Sequence, residues 1–146
     1  MLSDVERAIG AALEEIGAVH QAGGPGTWRV EVPCVARRSV TVGMAARERT
    51  LALQAFLMRA PDRRRALVHE RLLRKQMDAD ATGPWRFAID EHGDVYVLAS
   101  LPLAGLDTAV LDGVLGTLSG LVDAVFPGLM NTGFVVPTGP GGAPTA

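Results

Sequence analysis

The chain alternates between two hydrophobic periods, and each change of period marks a new element. Over residues 3–20, Val5, Ile9, Ala12, Leu13, Ile16 and Val19 recur at helical spacing, with Ser3 and Glu6 placed as a capping box. Gly23-Gly24-Pro25-Gly26 stops that helix. Trp28, Val30 and Val32 then alternate with Arg29 and Glu31 as a first strand ended by Pro33, and Val40, Val42 and Met44 mark a second. Residues 50–58 are apolar on both faces, with Leu51, Leu53, Ala55 and Leu57 on one and Ala52, Phe56 and Met58 on the other. A central strand reads this way. Pro61 opens a second helix over 62–77, with Ala66, Val68, Leu72, Leu73 and Met77 on an apolar arc. Arg63, Arg64, Arg71, Arg74 and Lys75 form the opposite, basic arc, with Leu67 at its centre.

Residues 83–102 predict a hairpin around which the core is built. Trp85, Phe87 and Ile89 alternate with polar or small residues, 90–94 supply a turn with Gly93 free to take a positive φ, and Val95, Val97, Ala99 and Leu101 lead back to Pro102. Two of the seven aromatics fall within five residues here, so the hairpin is expected to anchor the core. Asp107 caps a last helix over 107–126, which carries a broad apolar face from Val110 to Val125 and is expected to stop at Pro127-Gly128. Phe134-Val135-Val136 reads as an apolar flap that packs back. Residues 1–137 form one domain, and 138–146 read as a disordered tail. The expected fold is α+β, a five-stranded antiparallel sheet with three helices in the order α-β-β-β-α-β-β-α.

Composition adds three bounds. At 146 residues, 48% of them hydrophobic, the chain is long enough to bury a core without disulfides or metal. The formal charge of -2 hides an asymmetry: between Arg59 and Lys75 lie seven basic residues against Asp62 and Glu70 alone. The lone Cys34 forms no intramolecular disulfide, so nothing implies an oxidising compartment. Asp4 and Glu6 stand where a secretory signal carries positive charge, and no apolar run reaches membrane-spanning length. A cytoplasmic location with no membrane partner is the expectation.

Several stretches resemble the YbjN family of small bacterial proteins, known as sensory transduction regulators. They are Arg49-Thr-Leu-Ala-Leu through Phe56-Leu-Met-Arg-Ala-Pro61, Leu72-Leu-Arg-Lys, Phe87-Ala-Ile-Asp90 with Gly93-Asp-Val-Tyr96, Leu101-Pro-Leu and the helix closing at Phe126. Together they cover most of residues 27–134. The resemblance implies a fold similar to type III secretion chaperones, a homodimer and the binding of another polypeptide. It carries over no catalytic residue and no cofactor.

The candidate chemistry is correspondingly sparse. His20, His69 and His92 are too scattered for a metal pattern. His69 falls within the apolar stripe of the second helix and reads as a satisfied core or interface histidine. Cys34 has Arg37 and Arg38 nearby, which lower a thiol pKa, but a structural thiol is the simpler reading. There is no nucleophile–base pair, so the chain is read as non-enzymatic. The basic arc is either an ordinary solvated face or the rim of a docking site. In the second case Arg63, Leu67, Arg71 and Arg74 form one half of a protein-binding surface, and Phe56, Met58, Tyr96 and Leu98 on the second sheet face form the other. Helix two is expected to cover part of that face and a partner or second subunit the rest, unless simple core burial accounts for it. The alternative is a regulatory domain whose basic helix meets an anionic ligand or nucleic acid; the missing aromatics count against nucleic acid. Gly113, Gly116 and Gly120 share the back of the last helix, by compositional drift or to admit a close helix such as the Ala8/Ala12 edge of the first.

Overall fold

The computed structural model describes residues 2–134, 137–138 and 143–144. Its elements are α1 (Leu2–Ile16), β1 (Val19–Ala22), β2 (Thr27–Pro33), β3 (Ser39–Ala46), β4 (Thr50–Met58), α2 (Arg65–Gln76), α3 (Ala79–Thr82), β5 (Arg86–Ile89), β6 (Val95–Pro102) and α4 (Thr108–Gly133), followed by the short pair β7 (Pro137–Thr138) and β8 (Ala143–Pro144). The main sheet has six antiparallel strands in the order β1-β2-β3-β4-β6-β5. The fold is thus α+β as expected, with six strands in its main sheet where five were read and four helices where three were read. Most of the tail expectation, and Val135-Val136 of the flap, lie outside the described residues.

The extra strand comes from an early end to α1. Gly17 takes φ 78, and its N–H reaches Leu13 O at 3.1 Å while Ala18 N also donates to Leu13 O at 3.2 Å. That left-handed closure ends the helix at Ile16 and sends residues 19–22 into the sheet. The helix already includes Leu2, so Ser3 lies within it and not ahead of its first turn. The extra helix, α3, is a single turn capped by the Asp78 carboxylate, which accepts from Ala81 N at 3.3 Å.

Period-2 alternation makes the sheet one-sided. Trp28, Val30, Val32, Val40, Val42, Met44, Leu51, Leu53, Ala55, Leu57, Val95, Val97, Ala99 and Leu101 are all buried on the face that α1 and α4 cover. α4 supplies Leu111, Val114, Leu115, Leu118, Leu121, Val122 and Leu129 to that core. By length and composition it is also apolar enough to cross a membrane, against the expectation that no run reaches that length; a core helix passes the same test, and α4 packs on the sheet. The opposite face stays open: Arg29, Thr41, Gly43, Gln54, Phe56, Arg86 and Ser100 are exposed, and Ala52, Tyr96 and Leu98 half-buried.

The hairpin anchors the core through Trp85, just ahead of β5. Its ring is 1% exposed, and Nε1 donates to Val114 O in α4 at 2.9 Å. Phe87 is only partly buried and Ile89 is exposed, so the weight falls on the first aromatic. The turn forms as expected. Gly93 has φ 86, and a Cβ there meets Ala60 Cβ at 3.2 Å. The β5 edge is sealed by Gln76 of α2, whose amide accepts from Phe87 N at 2.8 Å and donates to Trp85 O at 3.0 Å.

α4 does not stop at Pro127. Proline removes one helical N–H and crowds the preceding turn, a cost of about 3 kcal/mol in a helix interior. The helix continues because its last turns are buried and bonded. Leu129, Thr132, Gly133 and Phe134 are buried, and Gly133 O accepts from Asp62 N at 2.9 Å and Arg63 N at 3.1 Å. Those two bonds also explain why α2 starts at Arg65: residues 62–63 are held against α4, and Arg64, at φ 50, makes the left-handed corner into the helix. Pro61 is buried against Gly133 and opens no helix.

Two predictions follow from this packing. Trp85→Ala removes a fully buried ring and a hydrogen bond, and is expected to cost about 3–5 kcal/mol in a denaturant melt; a near-neutral change displaces the hairpin from its central role. Gly116→Ala, with nothing within 4 Å of the new Cβ, is expected to stabilise by about 0.5–1 kcal/mol through helix propensity. Gly133→Ala brings its Cβ to 3.0 Å from Pro61 Cβ and is expected to destabilise by about 1–3 kcal/mol. Equal effects at the two glycines refute the packing described at the end of α4.

Candidate functional site

The open face is built by three central strands. On β4 and β6 the register opposes Phe56 to Tyr96, Gln54 to Leu98 and Ala52 to Ser100. Phe56 and Tyr96 meet edge to face with centroids 5.5 Å apart, a favoured aromatic geometry. Phe56 keeps 42% of its surface exposed. Towards the other end the face becomes a shallow concavity of about 900 Å³, floored by Gly43, Ala45, Ala52 and Leu98 and flanked by Arg29 and Arg86. Glu31 accepts from Thr41 Oγ1 at 2.6 Å and Ser39 Oγ at 2.8 Å, and these two bonds hold its carboxyl below the usual range.

Of the four sheet residues expected here, Phe56, Tyr96 and Leu98 share the open face, and Met58 does not. The β4–β6 register shifts between Phe56 and Met58. One irregular residue moves the following side chain to the opposite face, and Met58 is 3% exposed in the core.

α2 lies elsewhere. It packs against α4 and the outer edge of β5, so it leaves the open face uncovered. Its basic residues largely serve the fold. Arg63 Nη2 donates to Asn131 O at 3.2 Å and Arg71 Nη1 to Gly128 O at 3.5 Å, both at the negative end of α4. Arg74 pairs with Glu70 at 3.2 Å. Leu67 is 37% exposed among them, and Arg64 is exposed. The apolar arc of the helix is only half used: Val68 and Leu72 are buried, whereas Leu73 and Met77 are 71% and 86% exposed. The two halves of the expected docking surface are therefore separate places on the molecule.

The remaining singled-out residues have structural surroundings. Burial raises the Cys34 thiol pKa, and the weaker pull of Arg37 does not reverse it, so the thiolate expected from nearby arginines is disfavoured. Arg37 is turned to Leu57 O at 2.7 Å and stacks 5.0 Å above Phe126. His69 is half-buried with Nε2 lacking a hydrogen-bond partner among the described residues, so of the core or interface histidine expected, the satisfied core form is not met. The glycines on the back of α4 meet no neighbour within 4 Å, and α1 does not approach them. Among the described residues no group of three or more His, Cys, Asp or Glu is gathered to hold a metal.

Sequence reasoning missed a second cavity, of about 410 Å³, between the start of β3, the end of β4 and the last turns of α4. The β3–β4 ladder runs from Ala46↔Leu51 to Val42↔Ala55 and stops there, although each strand goes on to pair with its other neighbour. Arg37, Arg38 and Arg59 line the gap together with Phe56, Phe126 and Met130. Arg59 stacks 4.3 Å above Phe134 and binds Asp62 at 2.8 and 3.1 Å, which keeps the Asp62 carboxyl below its ordinary pKa.

The overall fold recurs in solved structures. A chain of the heterodimeric ExoU–SpcU complex from the type III secretion system of Pseudomonas aeruginosa superposes with TM-score 0.61 at 17% identity, over 80% of this chain and 93% of that one. A chain of the complex between the Yersinia pestis type III secretion chaperone SycH and a stable fragment of YscM2 gives 0.59 at 16% identity, over 83% and 98%. The HopA1–SchA chaperone–effector complex gives 0.58 at 13%, over 82% and 90%. At such identities the likeness is one of fold. In sequence, the uncharacterized protein Rv0487 of Mycobacterium tuberculosis is 28% identical over 138 residues, 91% of this chain and 74% of that protein. The uncharacterized protein ML2442 of Mycobacterium leprae is 29% identical over 105 residues, 72% of this chain and 55% of that one. Residues 34–124, well over half of the chain, match the Tir chaperone protein (CesT) family, and the chain belongs to that family.

Proposed function

We propose that this protein is a non-enzymatic, chaperone-like module of the cytoplasm that holds another polypeptide against the open face of its sheet and works as a homodimer. The observation that carries the reading is the face itself: Phe56, Tyr96 and Leu98 stand on paired, rigid strands with no helix over them. Aromatic side chains on a rigid surface lose little entropy on binding and are common in interface cores. Small residues at Gly43, Ala45 and Ala52 let a partner's main chain come close. Family membership and neighbours solved with a chaperone bound to another polypeptide support the same reading. The affinity to YbjN belongs to this proposal and rests on the motif spacings alone.

Leu73 and Met77 supply the surface for a second copy. They extend the buried stripe of α2 onto solvent, and apolar side chains so exposed are stabilised by covering them. The alternative, in which α2 meets an anionic ligand or nucleic acid, loses its main residues, because Arg63 and Arg71 are turned to the carbonyls of α4 and Arg74 to Glu70.

In a pull-down from native lysate, polypeptides are expected to survive nuclease and moderate salt, and to be lost with Leu98→Glu while its melting is unchanged. Retention of nucleic acid with a steep salt dependence refutes the reading. Sedimentation is expected to give a dimer that Leu73→Asp converts to monomer. A wild-type protein that stays monomeric into the high-micromolar range removes the homodimer.

A further inference from the structure

The gap between β3 and β4 is a built site that the open-face reading does not use. Beyond Val42 and Ala55 the two strands no longer pair, and the guanidinium of Arg37 bridges the opening to Leu57 O at 2.7 Å. Three arginines, Arg37, Arg38 and Arg59, stand in its walls, and among the described residues no carboxylate lines the cavity. Asp62 is bound to Arg59, while Arg37 and Arg38 form no ion pair among the described residues. Between the cations lie Phe56, Phe126 and Met130. A site of this composition attracts negative charge and apolar surface together.

We propose that this slot takes an acidic, apolar segment of the partner polypeptide: a carboxylate side chain among the arginines, beside a leucine or phenylalanine seated on Phe56 and Met130. The inference rests on the polypeptide-binding reading and deepens it by giving the partner a chemistry. Two observations favour a polypeptide over a nucleic acid, whose phosphates the arginines also suit. The Phe126 and Phe134 rings are covered by Arg37 at 5.0 Å and Arg59 at 4.3 Å, so neither is free to stack a base. The slot is also continuous with the open face, because Phe56 lines the slot and touches Tyr96 on that face. One extended chain reaches both. The parted strands suit such a guest further, since main chain carries the donors and acceptors that β3 and β4 no longer give each other.

The test uses the full chain and a fluorescein-labelled synthetic peptide alternating Glu with Leu and Phe, the same peptide with Lys for every Glu, and a labelled oligothymidylate. Anisotropy is expected to show binding of the acidic peptide alone. Its Kd is expected to rise about tenfold with Arg38→Glu and with Phe56→Ser, and to stay unchanged with Arg74→Glu on α2, the melting of each variant being checked. Three results overturn the slot: no binding of the acidic peptide at millimolar concentration, equal binding by Arg38→Glu, or oligothymidylate bound in preference and lost with Arg38→Glu. Failure of the slot leaves the open-face reading standing if Leu98→Glu still releases the captured partner. Loss of that release, with the slot intact, removes the open face alone.

Discussion

The last carbonyls of an α-helix have no partner within the helix, and α4 ends inside the protein instead of in water. Thr132, Gly133 and Phe134 are buried at that end. The carbonyls of Asn131 and Gly133 must therefore find donors from elsewhere in the chain. They find them in the stretch that leads into α2, in the N–H groups of Asp62 and Arg63 and the side chain of Arg63, while Arg71 of α2 adds a bond to Gly128 O. Each such bond contributes about 0.5–1.5 kcal/mol net, and more where the donor is charged. Together they hold a helix that runs through Pro127. They also fix where α2 sits, beside α4 and the β5 edge, and so leave the second face of the sheet uncovered.

Much of the fold is legible because burial on one face writes itself into alternation. Trp28/Val30/Val32, Val40/Val42/Met44 and Val95/Val97/Ala99/Leu101 are each a buried row at period 2. The ends of helices are less legible, because they depend on main-chain bonds to distant residues. Pro127 is a stop signal by local chemistry, yet Gly133 O, bonded to residues some seventy positions earlier, overrides it. Gly17 falls inside the span 3–20 whose apolar spacing reads as one helix, and only its left-handed closure shows that Val19 belongs to an edge strand.

The candidate site divides along the same line. Phe56, Tyr96 and Leu98 are found from alternation alone, since a strand with a paired, regular backbone keeps its faces. Met58 is lost because a single register shift reverses them, and nothing in Phe56-Leu57-Met58 announces it. Arg63 and Arg71 stand on a polar arc and look solvent-facing; the groups they serve lie 57–68 residues away in sequence. The slot lined by Arg37, Arg38 and Arg59 is invisible for a related reason, because it exists only where two strands stop pairing.

The separation of these surfaces bears on how such a module works. A flat apolar sheet face invites aggregation, and this face avoids it by keeping its large apolar groups few and surrounding them with Arg29, Glu31, Thr41, Gln54, Arg86 and Ser100. A partner gains little from that face by area alone, so orientation must come from somewhere else. In the proposed complex charge at one end supplies it: a carboxylate drawn to Arg37 and Arg38 sets the direction and register of a chain whose apolar residues then meet Phe56, Tyr96 and Leu98. In that complex the cation-rich end and the small-residue floor act in sequence along the proposed guest. The apolar ridge of α2 lies on another side of the molecule, so the second copy proposed to meet it does not compete with the proposed guest.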